Sequence, residues 1–436
     1  MSEKNLTFSL YTLGCKVNQY ESEAIAEVLE SNGLRKCDHS EKCDIYIINT
    51  CTVTAESDRK ARQFIRRAHA KNPDAFIIVT GCLAETSPED IAKIEGVDFI
   101  CGNAKKLEAA RAALKFAEDR QKNASPEIYE SKLDGADFEK MNITRFDRTR
   151  AYVKIEDGCE NRCTYCIIPS ARGKVRSKAP EDVIAEVEAL TAGGCKEIVL
   201  TGIETASYGR DLKTVDLATL LCRVDKIKGV GRIRLGSLDP SLMTDRFVSK
   251  IADLRSLTPH FHLSLQSGSD RILALMKRKY NSKMALEGIE RIRKVMPSAM
   301  FTTDIIVGFP GETDEDFEAT MDFVRRAKFL ASHVFTYSKR AGTPAATMKD
   351  QVPESIKKER SARLISLQNE IRDELLAEEV GNEYDVLFET YNGAFYTGHS
   401  PSFIEISAVS DTSVQGEIRR VRIVESMGGV CFGVLI

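Results

Sequence analysis

Short apolar runs alternate with amphipathic stretches along the first hundred residues. Thr7–Tyr11, Asp44–Asn49, Phe76–Thr80 and Val97–Ile100 have the length and residue types of buried strands. Glu21–Glu30 and Ala55–Ala70, between them, carry helical spacing. This alternation predicts a Rossmann-like parallel α/β domain over residues 1–117. Glu118–Arg148 is polar and reads as a linker over 118–148. A second alternating series follows. Its strands are Tyr152–Ile155, Glu197–Leu200, Arg232–Leu235, His260–Gln266, Met300–Val307 and His333–Tyr337, with helices such as Pro180–Thr191 and Ser269–Met276 between them. Six βα units predict a (βα)6 partial TIM barrel over 149–350, with functional residues at the carboxyl ends of its strands. Ser355–Glu379 is charged and amphipathic, and predicts a connecting helix within 351–380. Beyond it, Tyr384–Phe388, Ile404–Val409 and Arg419–Val424 alternate in a region rich in glycine and β-branched residues, which predicts a small β-barrel over 381–436. The fold class is therefore α/β with an all-β module appended.

A chain of 436 residues exceeds what one core organises, in keeping with several domains. With 42% hydrophobic and 29% charged residues the composition is that of a globular protein. No apolar run reaches the roughly 18 residues of a membrane span. The opening Met1–Asn5 lacks a charged-then-apolar leader pattern, so a cytoplasmic location is expected. A net charge of −3 supplies no general attraction for nucleic acid, and any such role has to come from local patches. Twelve cysteines change the picture. Disulfides are rare in a reducing compartment, so clustered cysteines point to metal or redox chemistry.

Cys159, Cys163 and Cys166 form a C-x3-C-x2-C word just after the first strand of the second series. A structural zinc site takes four ligands, and no fourth Cys or His lies nearby. A 4Fe-4S cluster needs one ligand per iron, so three thiolates leave one iron open. An open iron can hold the amino and carboxylate groups of S-adenosyl-L-methionine, and an electron can then cleave the sulfonium to a 5′-deoxyadenosyl radical. Three buried or zinc-binding cysteines are the plainer alternative. Cys15, Cys51 and Cys82 are far apart in sequence, but each follows one of the first three strands. Parallel α/β folds collect ligands at that edge.

The compact triplet, with Tyr165 inside it, resembles the radical S-adenosylmethionine superfamily. The resemblance implies S-adenosylmethionine contacts from Tyr165, from Gly202 and Glu204 in Thr201–Glu204, and from Gln266, Arg278 and Asp304. Asp304 could equally be a capping or turn residue, and Arg278 part of a solvated Lys277–Lys279 helix face. TLGCKVNQYE at Thr12–Glu21, NTCTVT at Asn49–Thr54, TGC at Thr80–Cys82, CTYCIIP at Cys163–Pro169 and GFPGET at Gly308–Thr313 resemble the methylthiotransferase family over essentially the whole chain. That resemblance implies an N-terminal cluster domain, a radical part-barrel, a C-terminal TRAM barrel and two 4Fe-4S clusters. It makes Cys15, Cys51 and Cys82 ligands of a cluster that carries sulfur, and Cys159, Cys163 and Cys166 ligands of the one that makes a radical. Cys101 also ends a strand, but the family uses three ligands, and free cysteine is commonly a small buried hydrophobe.

Within the family the opening segment and HVFTYSKRAGTP at His333–Pro344 are closest to the MtaB branch, which methylthiolates C2 of N6-threonylcarbamoyladenosine at position 37 of tRNA. The MiaB branch, acting on isopentenyladenosine, reads GCQMN where this chain has GCKVN, and the RimO branch, acting on a ribosomal protein, differs again. Ser170, Thr336 and the Leu235–Pro240 wording depart from the family pattern without touching a cysteine. Expected partners are the tRNA anticodon loop, a reducing electron donor such as flavodoxin, and a sulfur donor. The alternatives are a ribosomal-protein methylthiotransferase and a non-catalytic iron–sulfur RNA-binding protein. Two basic runs suit RNA phosphates. One is Arg59–Lys71. The other, Arg172–Lys178, supplies Arg172 and Arg176 as candidate RNA contacts. From Gly381 onward there are three arginines, no lysine and seven acidic residues, so the barrel can offer RNA only the small patch Arg419, Arg420 and Arg422.

Overall fold

The computed structural model describes residues 6–130 and 132–436. Its first sheet has six parallel strands in the order Arg35–Lys36, Thr7–Thr12, Ile45–Thr50, Phe76–Gly81, Phe99–Cys101, Glu127–Tyr129. The inner strands Ile45–Thr50 and Phe76–Gly81 are buried along their whole length because helices cover both faces. Ile45, Ile47 and Ile78 meet the helices Lys16–Ser31 and Leu107–Asp119 on one side. Tyr46, Ile48, Ile77 and Val79 meet the helix Ala55–Lys71 on the other. The order reverses between the strands Thr7–Thr12 and Ile45–Thr50, which opens a crevice at their carboxyl ends.

The central region is a six-stranded part-barrel of two parallel halves. One runs Arg232–Leu235, Glu197–Thr201, Arg150–Lys154, and the other His260–Gln266, Met300–Val307, Ala331–Thr336. The bridges Ile233 to Leu257 and Leu238 to Leu263 join them. The helix Glu354–Ala377 lies along the last of these strands, where the Gln368 amide donates to Phe329 O at 2.7 Å. Five strands of the tail close into a barrel, as expected of a TRAM module. Its loop around His399–Ile404 stops the lower end of the part-barrel. Arg232 donates to His399 O and Arg234 to Pro401 O, and Arg150 pairs with Glu389 at 2.5 Å. Phe403 stacks between His260 and His399 at 4.4 and 4.5 Å. It does so with φ +73°, a strained conformation for a bulky residue that the surrounding contacts sustain.

The stretch read as a linker is tied down. Glu127–Tyr129 adds the sixth strand, and Met141 and Ile143 bury in the part-barrel core. Its polar composition hides this because two short anchors suffice to hold it. The two basic residues proposed as RNA contacts are also placed otherwise. Arg172 is fully buried and Arg176 is 7% exposed, so neither is available to RNA. Arg172 reaches Glu21 at 2.5 Å and Asp157 at 3.3 Å, while Arg176 reaches Asp157 at 3.3 Å. Lys106 and Lys154 meet Glu21 at 3.0 and 2.7 Å. Glu21 and Lys106 come from the first domain, the other four from the part-barrel. Against the cost of burial, Arg172, Lys106 and Lys154 hold the Glu21 carboxyl well below the usual carboxylate range.

Removing one partner of such a cluster leaves uncompensated buried charge, which costs about 3–5 kcal/mol. Glu21→Ala is therefore expected to lower unfolding stability by that order in denaturant titration, while an exposed pair such as Arg363–Glu318 should contribute less than about 1 kcal/mol.

Candidate functional site

The loop carrying Cys159, Cys163 and Cys166 leaves the first barrel strand through Gly158, which adopts φ +89°. A Cβ there would lie 2.0 Å from Lys174 O, so only glycine permits the approach. Backbone bonds pin the loop from three directions. Cys159 N donates to Gly173 O at 3.0 Å, Thr164 N to Met276 O at 3.1 Å, and Ala345 N to Thr164 O at 2.8 Å. Burial, then Glu204 and the neighbouring thiol of Cys166, push the Cys159 pKa up to about 12. Burial and Cys163 push Cys166 up to about 11. Thiols so disfavoured as bare thiolates suit a cation that takes up their charge. Three such sulfurs on one loop fit a 4Fe-4S cluster with one open iron.

Arg278 belongs to this site and not to a solvated helix face. Its Nη1 donates to Cys163 Sγ at 3.2 Å, and its Nη2 to Asp239 at 2.8 Å and Ser264 O at 3.1 Å. Gly202 lets the chain pass over Glu156, where a Cβ would come 2.6 Å from Oε2. Glu204 N donates to that same oxygen at 2.7 Å, and the Glu204 carboxylate accepts from Asn161 at 3.0 Å. Burial, reinforced by Asp239, raises the Glu204 pKa to about 7. Gln266 ends its strand at φ +72°, where the register with the next strand slips. Tyr165 meets Phe309 edge-on at 6.5 Å. Asp304 is no cap or turn residue. It sits within its strand, and His262 and His333 engage its two oxygens at 3.2 and 3.0 Å.

Tyr165, Glu204, Gln266, Arg278 and Asp304 line one cavity of about 370 Å³ together with all three cysteines of this loop. Val53 and Thr54 of the first domain line it too. They follow Cys51, which brings the second triplet alongside. Cys15 opens the helix Lys16–Ser31, and Cys82 opens the short helix Cys82–Thr86. Gly14 has φ +97°, and a Cβ on it would lie 2.8 Å from Cys51 Sγ. Asn18 stitches the loops by donating to Leu13 O at 2.7 Å and Thr50 O at 3.0 Å. The three thiols feel one another's charge, and burial together with Cys82 raises Cys51 to about 11. The donor set thus fits a second cluster at the strand crevice. Cys101 packs among Ala109, Ala110 and Phe99 in the domain core, and burial pushes it up to about 12.

Several cavity residues escaped the reading of the sequence. Arg340 lines the cavity and donates to Thr52 and, at 2.9 Å, to Asp58, which ties the His333–Pro344 segment to the loop of Cys51. Asn161, inside the cysteine word, was the most findable. Ser237 and Ser264 carry no local signal. On the outer surface Arg66 and Arg67 are exposed on the helix that follows Cys51. The TRAM arginines are neutralised, Arg419 by Glu417, and Arg420 and Arg422 by Glu383.

A part-barrel with three cysteines on its first loop defines a radical S-adenosylmethionine enzyme. Residues 153–324 match the radical SAM superfamily, and residues 7–102 match the uncharacterised protein family UPF0004. The chain is 40% identical over 428 residues to the threonylcarbamoyladenosine tRNA methylthiotransferase MtaB of Bacillus subtilis strain 168, covering 96% of this chain and 94% of that one. It is also 40% identical to the tRNA-2-methylthio-N(6)-dimethylallyladenosine synthase of Carboxydothermus hydrogenoformans, with 89% of each chain covered. Among solved structures, the radical S-adenosylmethionine methyltransferase TsrM from Kitasatospora setae, with cobalamin and a 4Fe-4S cluster bound, shares the fold at TM-score 0.57 and 16% identity, over 78% of this chain and 77% of that one. The chain belongs to the radical S-adenosylmethionine methylthiotransferase family. Membership brings S-adenosylmethionine and a 4Fe-4S cluster with it. Among the described residues no helix is long and apolar enough to cross a membrane.

Gly158→Ala and Gly194→Ala both place alanine at positive φ, but only the first meets a neighbour. Iron per chain after anaerobic reconstitution should fall in Gly158→Ala and stay at the wild-type level in Gly194→Ala. Equal iron in both would remove the steric account of the cysteine loop.

Proposed function

We propose that this protein methylthiolates C2 of N6-threonylcarbamoyladenosine at position 37 of tRNA, with one 4Fe-4S cluster on Cys159, Cys163 and Cys166 and a second on Cys15, Cys51 and Cys82. The observation that carries the proposal is the shared cavity, lined by the radical loop and by the residues after Cys51. The C2–H bond is unactivated, so the cofactors carry the hard step. When bound, one cluster supplies the electron that releases a radical from S-adenosylmethionine, and the other supplies a site for the transferable sulfur.

The chain's own residues hold, orient and enclose. Arg278 keeps a positive charge against the Cys163 sulfur. Glu204, Gln266 and the backbone at Gly202 offer polar groups at the strand ends, where the methionine part of S-adenosylmethionine would sit. Ile168, Ile203 and Ile306 form an apolar wall that limits water near a reactive centre. Arg340 holds the two domains together at the cavity. The exposed Arg66 and Arg67, with Lys71 on the same helix, suit phosphates of an anticodon loop, whose unpaired bases can be splayed into a pocket. A reducing protein such as flavodoxin and a separate sulfur donor complete the requirements.

Nucleosides from a deletion strain test the function by mass spectrometry. The 2-methylthio derivative of N6-threonylcarbamoyladenosine should vanish while its precursor persists, and an unchanged nucleoside profile would rule the proposal out. Replacing Cys15, Cys51 and Cys82 together by alanine should abolish methylthiolation, halve the iron and retain 5′-deoxyadenosine formation. Loss of 5′-deoxyadenosine in a folded, singly loaded variant would contradict the division of labour.

A further inference from the structure

A relative named for threonylcarbamoyladenosine and one named for dimethylallyladenosine are each 40% identical to this chain, so overall similarity does not separate the two substrates. Their chemistry does. A threonylcarbamoyl group carries a carboxylate, a hydroxyl and ureido N–H groups, whereas a dimethylallyl group is a neutral hydrocarbon. A cavity wall that reads the first has to present fixed polar groups, and those same groups repel the second.

One wall of the shared cavity is built this way. The strands Met300–Val307 and Ala331–Thr336 pair in parallel, with Asp304 opposite His333 and Ile306 opposite Phe335. Asp304, Ile306 and Phe335 line the cavity. Alternate residues of a strand share a face, so His333 stands on the same side as Phe335. Its Nδ1 lies 3.0 Å from Asp304 Oδ1, and its side chain is 66% exposed, which leaves Nε2 open to a ligand. His262 reaches the other carboxylate oxygen at 3.2 Å.

A chain of hydrogen bonds fixes that arrangement. His260 Nε2 and His262 Nδ1 both meet the Thr302 hydroxyl, at 3.0 and 2.8 Å. Burial keeps the His260 imidazole neutral, so it has a single N–H. Its Nδ1 is buried without a partner, where an unpaired N–H would be costly. The hydrogen therefore sits on Nε2 and is donated to Thr302. Thr302 passes its own hydrogen to His262 Nδ1, and His262 carries its hydrogen on Nε2, facing Asp304. Phe403 of the C-terminal barrel stacks on His260 at 4.4 Å and closes the chain at its far end. Against the cost of burial, the bonds from His262 and His333 hold the Asp304 carboxyl well below the usual carboxylate range, so it stays ionised. The ligand atoms of His262, Asp304 and His333 lie within 4.8 Å of one another, a spacing that a divalent cation would also accept. The placement of hydrogens goes against a cation, because His262 Nε2 has no lone pair to give.

We propose that Asp304 and His333 form the subsite that recognises the threonylcarbamoyl group, with His333 Nε2 donating to its carboxylate and Asp304 accepting from its hydroxyl or ureido N–H. Thr302 is a positioning residue that holds Asp304 through His262. The inference rests on the proposed function and names the residues that read its substrate. The same wall rejects a dimethylallyl group, because hydrocarbon laid against an ionised carboxylate strips its water and returns no hydrogen bond.

Binding and turnover together test this. Reconstituted protein is titrated with three anticodon stem-loop RNAs, carrying at position 37 N6-threonylcarbamoyladenosine, dimethylallyladenosine or unmodified adenosine. Wild type should bind the first at least about tenfold tighter than the unmodified RNA, the worth of one charge-assisted hydrogen bond, and the second no tighter than the unmodified RNA. His333→Ala should remove most of that preference, and His333→Gln, which keeps a donor, should restore part of it. Thr302→Val, nearly the same in shape, should lower the preference and raise KM for the threonylcarbamoyl RNA while the visible absorption of the clusters stays unchanged. A preference that survives intact in His333→Ala overturns the inference. So does an equal loss on all three RNAs, because the histidine would then serve the RNA backbone or the fold. So does a stoichiometric divalent metal, beyond the cluster iron, that wild type retains and His333→Ala loses, because the three side chains would then be a metal site. Wild type that methylthiolates the threonylcarbamoyl RNA but binds it no tighter than the unmodified RNA also overturns the inference, and leaves the proposed function intact. Wild type that methylthiolates none of the three, with cluster content verified, removes the proposed function itself and the inference with it.

Discussion

Glu21 is a carboxylate without water, and the arrangement of the two halves depends on it. Desolvating one carboxylate is expensive, and the expense is offset only when cations surround it with good geometry. Lys106 comes from the same domain, while Lys154 and Arg172 come from the part-barrel. The pairing therefore forms only when the domains dock in one orientation. Glu21 lies less than two helical turns beyond Cys15, and Arg172 lies a few residues beyond Cys166. Locking these two residues together orients the two cysteine triplets toward each other.

Around that lock, glycine backbones decide how close the sulfurs come. Gly14 lets one loop pass against Cys51, and Gly158 lets the radical loop pass against Lys174. Arg278 and Arg340 then stitch the cavity wall, one to a cysteine and the other across the domains. The far end of the part-barrel is stopped by the TRAM module through Phe403 and three barrel arginines. Those arginines are matched by Glu197 and Glu389. The module's own arginines are spent on Glu383 and Glu417, so its role at this contact is to close the barrel. Exposed positive charge comes instead from the helix after Cys51.

The order of elements was legible because strand and helix periods are local. Fourteen-residue helices and five-residue apolar strands announce themselves whatever they pack against. The radical loop was legible for the same reason, since its three cysteines, its aromatic residue and its glycine are contiguous. The stretch 118–148 misled because Glu127–Tyr129 is too short for a period to register. Arg172 and Arg176 misled because a run of positive charge looks the same whether it faces phosphate or a buried carboxylate. The partner Glu21 of Arg172 is some 150 residues away, Arg176 turns to the buried Asp157, and nothing within the run points to either.

The sequence by itself determined the fold class, the radical loop and the strand-end positions of Cys15, Cys51 and Cys82, because each depends on neighbours within a few residues. Tertiary structure decided that Val53 and Thr54 share a cavity with Cys159, that Arg278 is a site residue, and that Asp304 is held by two histidines. Those outcomes depend on which groups lose water together and which charges cancel, and only the docking of the two domains settles both.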